Sequence, residues 1–235
     1  MDNIIEVSGL VKTYATDGQR VEALRGIDLT IERGQMVAIM GPSGCGKTTL
    51  LNTLSGIDDI TRGRVIIDGV SIHEMSDEAR TRFRAEHMGF VFQAFNLLPV
   101  LSAVENVELP LLLAGVKPSV ARSRATDIMQ LCGVGDQADK RPAQMSGGQQ
   151  QRVTVARALA NEPAIVWADE PTGALDSETS RSIMDLLAEL NKKHEQTFVL
   201  VTHDANVGAR AQRMVRMRDG RVESDEAISV ATGEA

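Results

Sequence analysis

The chain has 235 residues, 43% of them hydrophobic and 24% charged, with a formal net charge of -7 and a pI near 5.2. That length holds one large α/β domain or a core with an inserted subdomain, and the composition supplies a sizeable core. The acidic balance weighs against sequence-blind binding to DNA, which needs many Lys and Arg facing phosphates, yet it leaves room for a nucleotide because a phosphate site is local.

The N-terminus, MDNIIEVSGL, has no basic region and no long apolar run, so it does not read as a signal peptide. Ile4 to Val7 predicts a short strand, and the alternation of Leu24, Ile27, Leu29 and Ile31 predicts a second. Met36 to Met40 is a buried-strand run that ends at Gly41, where a glycine-rich turn and a helix start follow. Val65 to Asp68 is strand-like and closes at an Asp68-Gly69 turn. Ser76 is placed to cap a helix through about Glu86, and Gly89 to Phe92 is again a strand.

From there to about Ala160 the reading is mostly helical. Ser102 and Glu105 have capping-box spacing, and Pro118 is placed to open a second helix. The longest apolar stretch, Leu109 to Val116, contains Pro110 and is far too short to cross a bilayer. Ile165 to Ala168 is an apolar strand. Ser177 is expected to cap a helix with Ile183, Leu186, Leu187 and Leu190 on one face. Phe198 to Val201 forms a strand ending at Thr202-His203, and a hairpin turns at Asp219-Gly220 before a loose polar tail from about Asp225. Cys45 and Cys132 lie far apart, with no metal-ligand spacing, and suit a reducing cytoplasm. His73, His87 and His194 have no partner pattern and read as surface residues. Alternating strands and helices predict a mostly parallel sheet covered on both faces, and the helical stretch interrupts that alternation as an insertion.

Gly41-Pro42-Ser43-Gly44-Cys45-Gly46-Lys47-Thr48 matches G-x-x-x-x-G-K-[ST], with a strand before it and a helix, continuing at Thr49, after it. The glycines let successive N–H groups turn inward on phosphates, and the new helix adds its positive end. Lys47 is expected to reach the β- and γ-phosphates, and the Thr48 hydroxyl to ligate Mg²⁺. By itself this motif says only that the chain is a P-loop nucleotide hydrolase, and kinases and GTPases remain open.

Ser146-Gly147-Gly148-Gln149-Gln150 resembles the signature of ATP-binding-cassette ATPases, usually written LSGGQ. Five further positions fall in that family's order: Tyr14, Gln93, Asp169-Glu170, Asp176 and His203. The resemblance covers nearly the whole chain. It implies an α/β fold: a P-loop ATPase core with a parallel sheet, an N-terminal antiparallel β subdomain and an inserted helical subdomain. One domain would span residues 1–235, with core and β subdomain at about 1–92 and 161–235, and the helical subdomain with the signature at about 93–160.

The same resemblance implies the roles. Tyr14 stacks on adenine. Asp169, with Thr48 and Gln93, holds the Mg²⁺ shell; Glu170 accepts a proton from the attacking water, or polarises it; His203 contacts the γ-phosphate; Gln93 links the core to the helical subdomain. Ser146, Gly147, Gly148 and Gln149 contact the γ-phosphate held by the P-loop of a second subunit, with Asp176 in the D-loop. Two subunits thus form a homodimer around two ATP molecules. Three positions depart from the commonest form. Met145 replaces Leu before the signature as a near-isosteric swap. Trp167 is large for its strand and its indole N–H needs a partner. Cys45 lies close enough to the phosphates that alkylation would block ATP.

Gly89-Phe-Val-Phe-Gln-Ala-Phe-Asn-Leu-Leu-Pro99 and Ala168-Asp-Glu-Pro-Thr-Gly-Ala-Leu-Asp176 resemble one branch of the family, that of MacB, LolD and FtsE. The branch implies a membrane permease with a large extracytoplasmic domain, powered from the cytoplasmic face of the membrane for export, lipoprotein release or mechanotransmission. Its alternative is FtsE-like control of a cell-wall hydrolase. By resemblance, residues from Gln93 to about Val116 take the permease's coupling helix, and apolar Phe95, Leu97 and Leu98 suit that surface. No nucleic-acid partner is expected: DNA-acting relatives of the SMC kind place a long coiled coil between P-loop and signature, and only about a hundred residues separate Lys47 from Ser146. A non-hydrolysing clamp is expected to lack Glu170 or His203.

Overall fold

The structure, a computed structural model, describes residues 2–16 and 19–228. In chain order its elements are β1 (Asn3–Thr16), β2 (Gln19–Glu32), β3 (Met36–Met40), α1 (Lys47–Leu54), β4 (Arg62–Ile67), β5 (Val70–Ser71), α2 (Asp77–His87) and β6 (Met88–Phe92). These are followed by α3 (Ala103–Leu113), α4 (Pro118–Leu131), α5 (Gly147–Leu159), β7 (Ile165–Asp169), α6 (Ser177–His194), β8 (Thr197–Thr202), α7 (Ala205–Gly208), β9 (Arg213–Arg218) and β10 (Arg221–Ala227). The chain forms two compact units, one of residues up to Thr81 and from Leu190 onward, the other Arg82–Glu189. Helices α2 and α6 each straddle that division.

The first unit contains two sheets. An antiparallel sheet in the order β2-β1-β4-β5 carries the N-terminal strands, both far longer than the short runs expected from the sequence. Their polar residues hid them: β2 is exposed from Gln19 to Glu22, and its alternation of buried and exposed residues is regular only from Ile27 onward. The β4–β5 connection turns at Asp68 (φ 50°) and Gly69 (φ 76°), the left-handed pair that a two-residue hairpin requires. In the other sheet, β3 is the inner strand between parallel β8 and β9, and β10 runs antiparallel beyond β9. All five residues of β3 and all six of β8 are buried, as strands covered on both faces must be. Strand β10 continues to Ala227, so the loose tail expected from Asp225 begins with three paired residues; its later part, from residue 229, lies outside the described residues.

The second unit pairs β6 parallel with β7 and gathers α3, α4 and α5 between residues 93 and 160. Local sequence set these helix starts. Ser102 and Glu105 form the expected capping box on α3, and Pro118 is the first residue of α4. Helix α6 differs: Asp176, not Ser177, is its cap, because the carboxylate accepts from the N–H groups of Glu178 (3.0 Å) and Thr179 (2.9 Å). Trp167 fills the core of β7 with no exposure, but among the described residues its indole N–H finds no partner, contrary to expectation. Among the described residues, no helix is long and apolar enough to cross a membrane.

Two histidines expected at the surface are not there. His73 is half-buried, its Nε2 2.9 Å from the carbonyl of Thr53, and burial pushes its pKa down. His87 is half-buried, stacked on Phe83 with ring centroids 4.4 Å apart. His194 is exposed as expected.

Candidate functional site

The phosphate loop joins β3 to α1. Gly44 (φ 78°) and Gly46 (φ 106°) occupy left-handed backbone that a side chain would strain, and a Cβ on Gly46 would meet the carbonyl of Ala23 at 2.7 Å. No side chain caps α1, so its first N–H groups face the loop. Lys47 is buried, and its ammonium donates to the carbonyls of Gly41 (2.8 Å) and Pro42 (3.0 Å) across the loop. Pro42, Ser43, Gly44 and Thr48 are exposed and Thr49 is half-buried, whereas Cys45 is buried, with its sulfur 2.7 Å from where a Cβ on Gly41 would sit. A glycine-rich turn, a helix start that no side chain caps and a cation folded across them make a donor set that suits a polyphosphate.

Strand register brings His203 to this loop's end of the sheet. Met40 pairs with Thr202, so Gly41 and His203 leave adjacent parallel strands at the same edge. The C-terminal edge of parallel strands is where ligands bind in open α/β sheets. Tyr14 stands on β1, partly exposed, with its hydroxyl donating to Asp58 at 2.6 Å.

The second unit repeats the logic. Phe92 pairs with Asp169, so Gln93 and Glu170 leave β6 and β7 side by side. Glu170 has φ 50°, a left-handed conformation unusual for a side-chain-bearing residue, and its carbonyl accepts from Gly173 N at 3.0 Å. Strain of this kind, worth about 1–3 kcal/mol, concentrates at functional sites. The turn it makes brings Gly173 against the Gln93 side chain.

Ser146 caps α5 in a full capping box: its hydroxyl accepts from Gln149 N (3.3 Å), and Gln149 Oε1 accepts from Ser146 N (2.9 Å). That leaves the hydroxyl proton and the first-turn N–H groups of Gly147 and Gly148 without helical partners, aimed where the positive end of α5 points. The glycines also answer a packing need. A Cβ on Gly148 would sit 2.5 Å from the Thr179 methyl, and one on Gly147 would sit 3.2 Å from Leu175. Asp176 is tied to the same place through Thr179, whose hydroxyl donates to it at 2.6 Å. The hydrogen bonds from the Thr179 side chain and backbone hold the Asp176 carboxyl below its usual pKa.

The sequence reading missed three supporting residues. Arg157, near the end of α5, donates to the carbonyls of Asn96 (2.6 Å) and Phe95 (3.0 Å), both in left-handed backbone at φ 52° and 58°. Burial lowers its pKa. Lys12 and Asp58 hold Tyr14. The arginine had a signal, a cation in the last turn of a predicted helix; the Lys12–Asp58 pair had none.

The profile of the ABC transporter family matches residues 24–173. The chain is 44% identical over 217 residues to the lipoprotein-releasing system ATP-binding protein LolD of Alcanivorax borkumensis, covering 92% of this chain and 95% of LolD. It is 44% identical over 231 residues to the macrolide export ATP-binding/permease protein MacB of Hyphomonas neptunium, covering 98% of this chain but 36% of MacB. A dimeric structure of the ATP-binding cassette MJ0796 in a post-hydrolysis state, bound to ADP and Pi, superimposes with a TM-score of 0.88 at 43% identity and covers 95% of this chain and 98% of that one. With a profile match over more than half its length and relatives this close, the chain belongs to the ABC transporter family.

Proposed function

We propose that the chain is the ATP-hydrolysing subunit of an ABC transporter, working as a homodimer that closes on two ATP molecules and drives a separate membrane permease. The observation that carries the reading is the shared strand-edge placement: Gly41 and His203 in one unit, Gln93 and Glu170 in the other, each pair leaving parallel strands at their C-terminal ends. Its likeness to a cassette captured as a dimer with ADP and Pi supports both hydrolysis and dimerisation.

In this reading Lys47 and the N–H groups of Gly44, Gly46 and α1 hold the β- and γ-phosphates, and Tyr14 receives the base. Glu170 polarises the attacking water, or takes its proton, and His203 fixes the water against the γ-phosphate. Bound Mg²⁺ would offset the charge of the phosphates, held by the Thr48 hydroxyl, Asp169 and Gln93. Hydroxyl, carboxylate and amide oxygens are the hard donors Mg²⁺ prefers, and so few of them leave its remaining positions to water and phosphate oxygens. Ser146, Gly147, Gly148 and Gln149 act on the partner subunit's nucleotide, with Asp176 beside them.

The helical segment 93–160 serves as the permease-facing subdomain. Leu98 and Val100, 43% and 73% exposed, and Leu113, 80% exposed, support a docking surface there. Phe95, by contrast, turns toward Gly147. MacB carries an ATP-binding and a permease part under one name, which supports a membrane permease as this chain's partner. The proposal extends that partner to a permease with a large extracytoplasmic domain, with the chain peripheral at the cytoplasmic face of the membrane. The names of LolD and MacB favour lipoprotein release or export, and no observation favours cell-wall regulation.

Glu170→Gln tests the reading. The variant binds ATP, stops before hydrolysis and elutes as a dimer with ATP and as a monomer without it. A variant that stays monomeric in saturating ATP, beside a wild type that hydrolyses normally, would overturn the nucleotide-sandwich dimer.

A further inference from the structure

Tyr14, the chain's only tyrosine, is held by two residues with no assigned role. Its hydroxyl donates to Asp58 Oδ2 at 2.6 Å. The other Asp58 oxygen accepts from Lys12 Nζ, also at 2.6 Å, and the same ammonium donates to the carbonyl of Asp59 at 2.6 Å. Lys12 precedes Tyr14 by two residues on β1, so both side chains leave the same face of the strand. Its ammonium sits over the ring, 4.7 Å from the centroid. One face of the ring is therefore covered by a cation and its hydroxyl is tied down, yet the residue remains 38% exposed.

Asp58 is in turn fixed to the helix that begins at the phosphate loop. Its backbone N–H donates to the carbonyl of Asn52 in α1 at 3.0 Å, as does that of Ile57 at 2.9 Å. The chain of contacts runs from the ring, through Asp58, to the body of α1, whose first residue is Lys47. Here two charged side chains converge on an aromatic residue that stays 38% exposed, an arrangement costly to order unless the ring's position matters.

We propose that Lys12 and Asp58 are positioning residues that set the Tyr14 ring at a fixed distance from the phosphate loop, as the platform for the aromatic base of the nucleotide. The inference rests on the reading of Tyr14 as the base-stacking residue. The Asp58 carboxylate stays charged as its tether: burial works against its ionisation, but the hydrogen bonds from Lys12 and Tyr14 outweigh burial and hold its pKa below the usual value. Burial and the bond to Asp58 push the Tyr14 phenol up.

The test uses the full chain with Asp58→Ala, Tyr14→Phe and Tyr14→Ala, and two ligands, Mg-ATP and inorganic tripolyphosphate. Asp58→Ala strips the carboxylate from a buried ammonium, so Tyr14→Phe serves as the milder variant, keeping the ring and losing only its tether. Both are expected to raise the KM for ATP about fivefold, with kcat within about twofold and tripolyphosphate affinity unchanged; Tyr14→Ala raises the KM about tenfold or more. The double variant Asp58→Ala/Tyr14→Phe is no worse than either single one. In Asp58→Ala the ultraviolet absorbance of the Tyr14 phenolate appears at lower pH than in the wild type.

If Tyr14→Ala weakens ATP while Asp58→Ala and Tyr14→Phe do not, the ring needs no positioning and the proposal falls while base stacking stands. If Tyr14→Ala itself leaves ATP binding unchanged, the stacking reading falls and takes the proposal with it. If tripolyphosphate affinity drops as far as ATP affinity, the two residues merely support the phosphate loop, and the proposal is again overturned.

Discussion

A Cβ on Gly173 would lie 2.8 Å from the side-chain nitrogen of Gln93 and 3.0 Å from its amide carbon. The backbone of Gly173 is not in the left-handed region, so alanine is conformationally permitted there and the conflict falls on the glutamine. Gly173→Ala is therefore expected to fold with stability within about 1 kcal/mol of wild type, while displacing Gln93 and lowering kcat about tenfold. Steady-state ATPase assays beside a denaturation curve check this; an unchanged kcat would mean that Gln93 finds an equivalent position.

Lys47 is satisfied by two carbonyls, and a bound phosphate must draw its ammonium away from them. Lys47→Ala removes the loop's cation and is expected to weaken Mg-ATP binding by about a hundredfold. Titration calorimetry reads the change directly, and undiminished affinity would count against the phosphate-loop assignment.

The capping box at Ser146 occupies its acceptor and its N–H, so an arginine there loses the cap and sets a bulky cation at the helix start. Ser146→Arg should leave ATP binding by the monomer nearly intact and block dimerisation. Mixing Lys47→Ala with Ser146→Arg creates one doubly damaged and one intact composite site, and is expected to recover ATPase activity over either homodimer, provided one site suffices to close the pair. Loss of nucleotide binding in folded, monomeric Ser146→Arg would place the signature beside its own phosphate loop instead.

His73 gives a pH dependence with a definite sign. Burial lowers its folded-state pKa below the ordinary 6.5, helped by the Arg80 cation and opposed by the bond to Thr53. As pH falls, the unfolded chain takes up the proton first, so stability is full above about pH 6.5 and is lost as pH drops through the folded pKa. His73→Gln should flatten this loss. Urea midpoints at pH 7.5 and about 5.5 compare the two; equal slopes would remove His73 as the cause.

Trp167 buries an indole N–H that no group among the described residues accepts, and an unmade hydrogen bond of this kind costs about 1–3 kcal/mol. Trp167→Phe removes that donor and leaves a small void. The two terms oppose, so stability is expected to stay within about 1 kcal/mol, far less than the roughly 3–5 kcal/mol of a Trp→Ala cavity. Denaturation followed by circular dichroism measures it; a loss above about 3 kcal/mol would show that packing dominates.

What the sequence settled by itself was everything enforced locally. The phosphate loop was legible because only glycine suits the left-handed backbone at Gly44 and Gly46. The start of α3 was legible because a capping box closes within four residues. Strand ends at Gly41, Gln93, Glu170 and His203 followed from short apolar runs that stop abruptly. Tertiary structure decided the contacts between distant residues: Lys12 with Asp58 across 46 positions and Arg157 with Asn96 across 61. It also decided matters where two local signals competed, as when Asp176 took the cap that Ser177 was expected to provide. The physical reason is one of range. Backbone conformation and capping depend on neighbours in the chain, and their rules are written in spacing. An ion pair or a glycine's clearance depends on which segments the fold brings together, and no spacing rule encodes that.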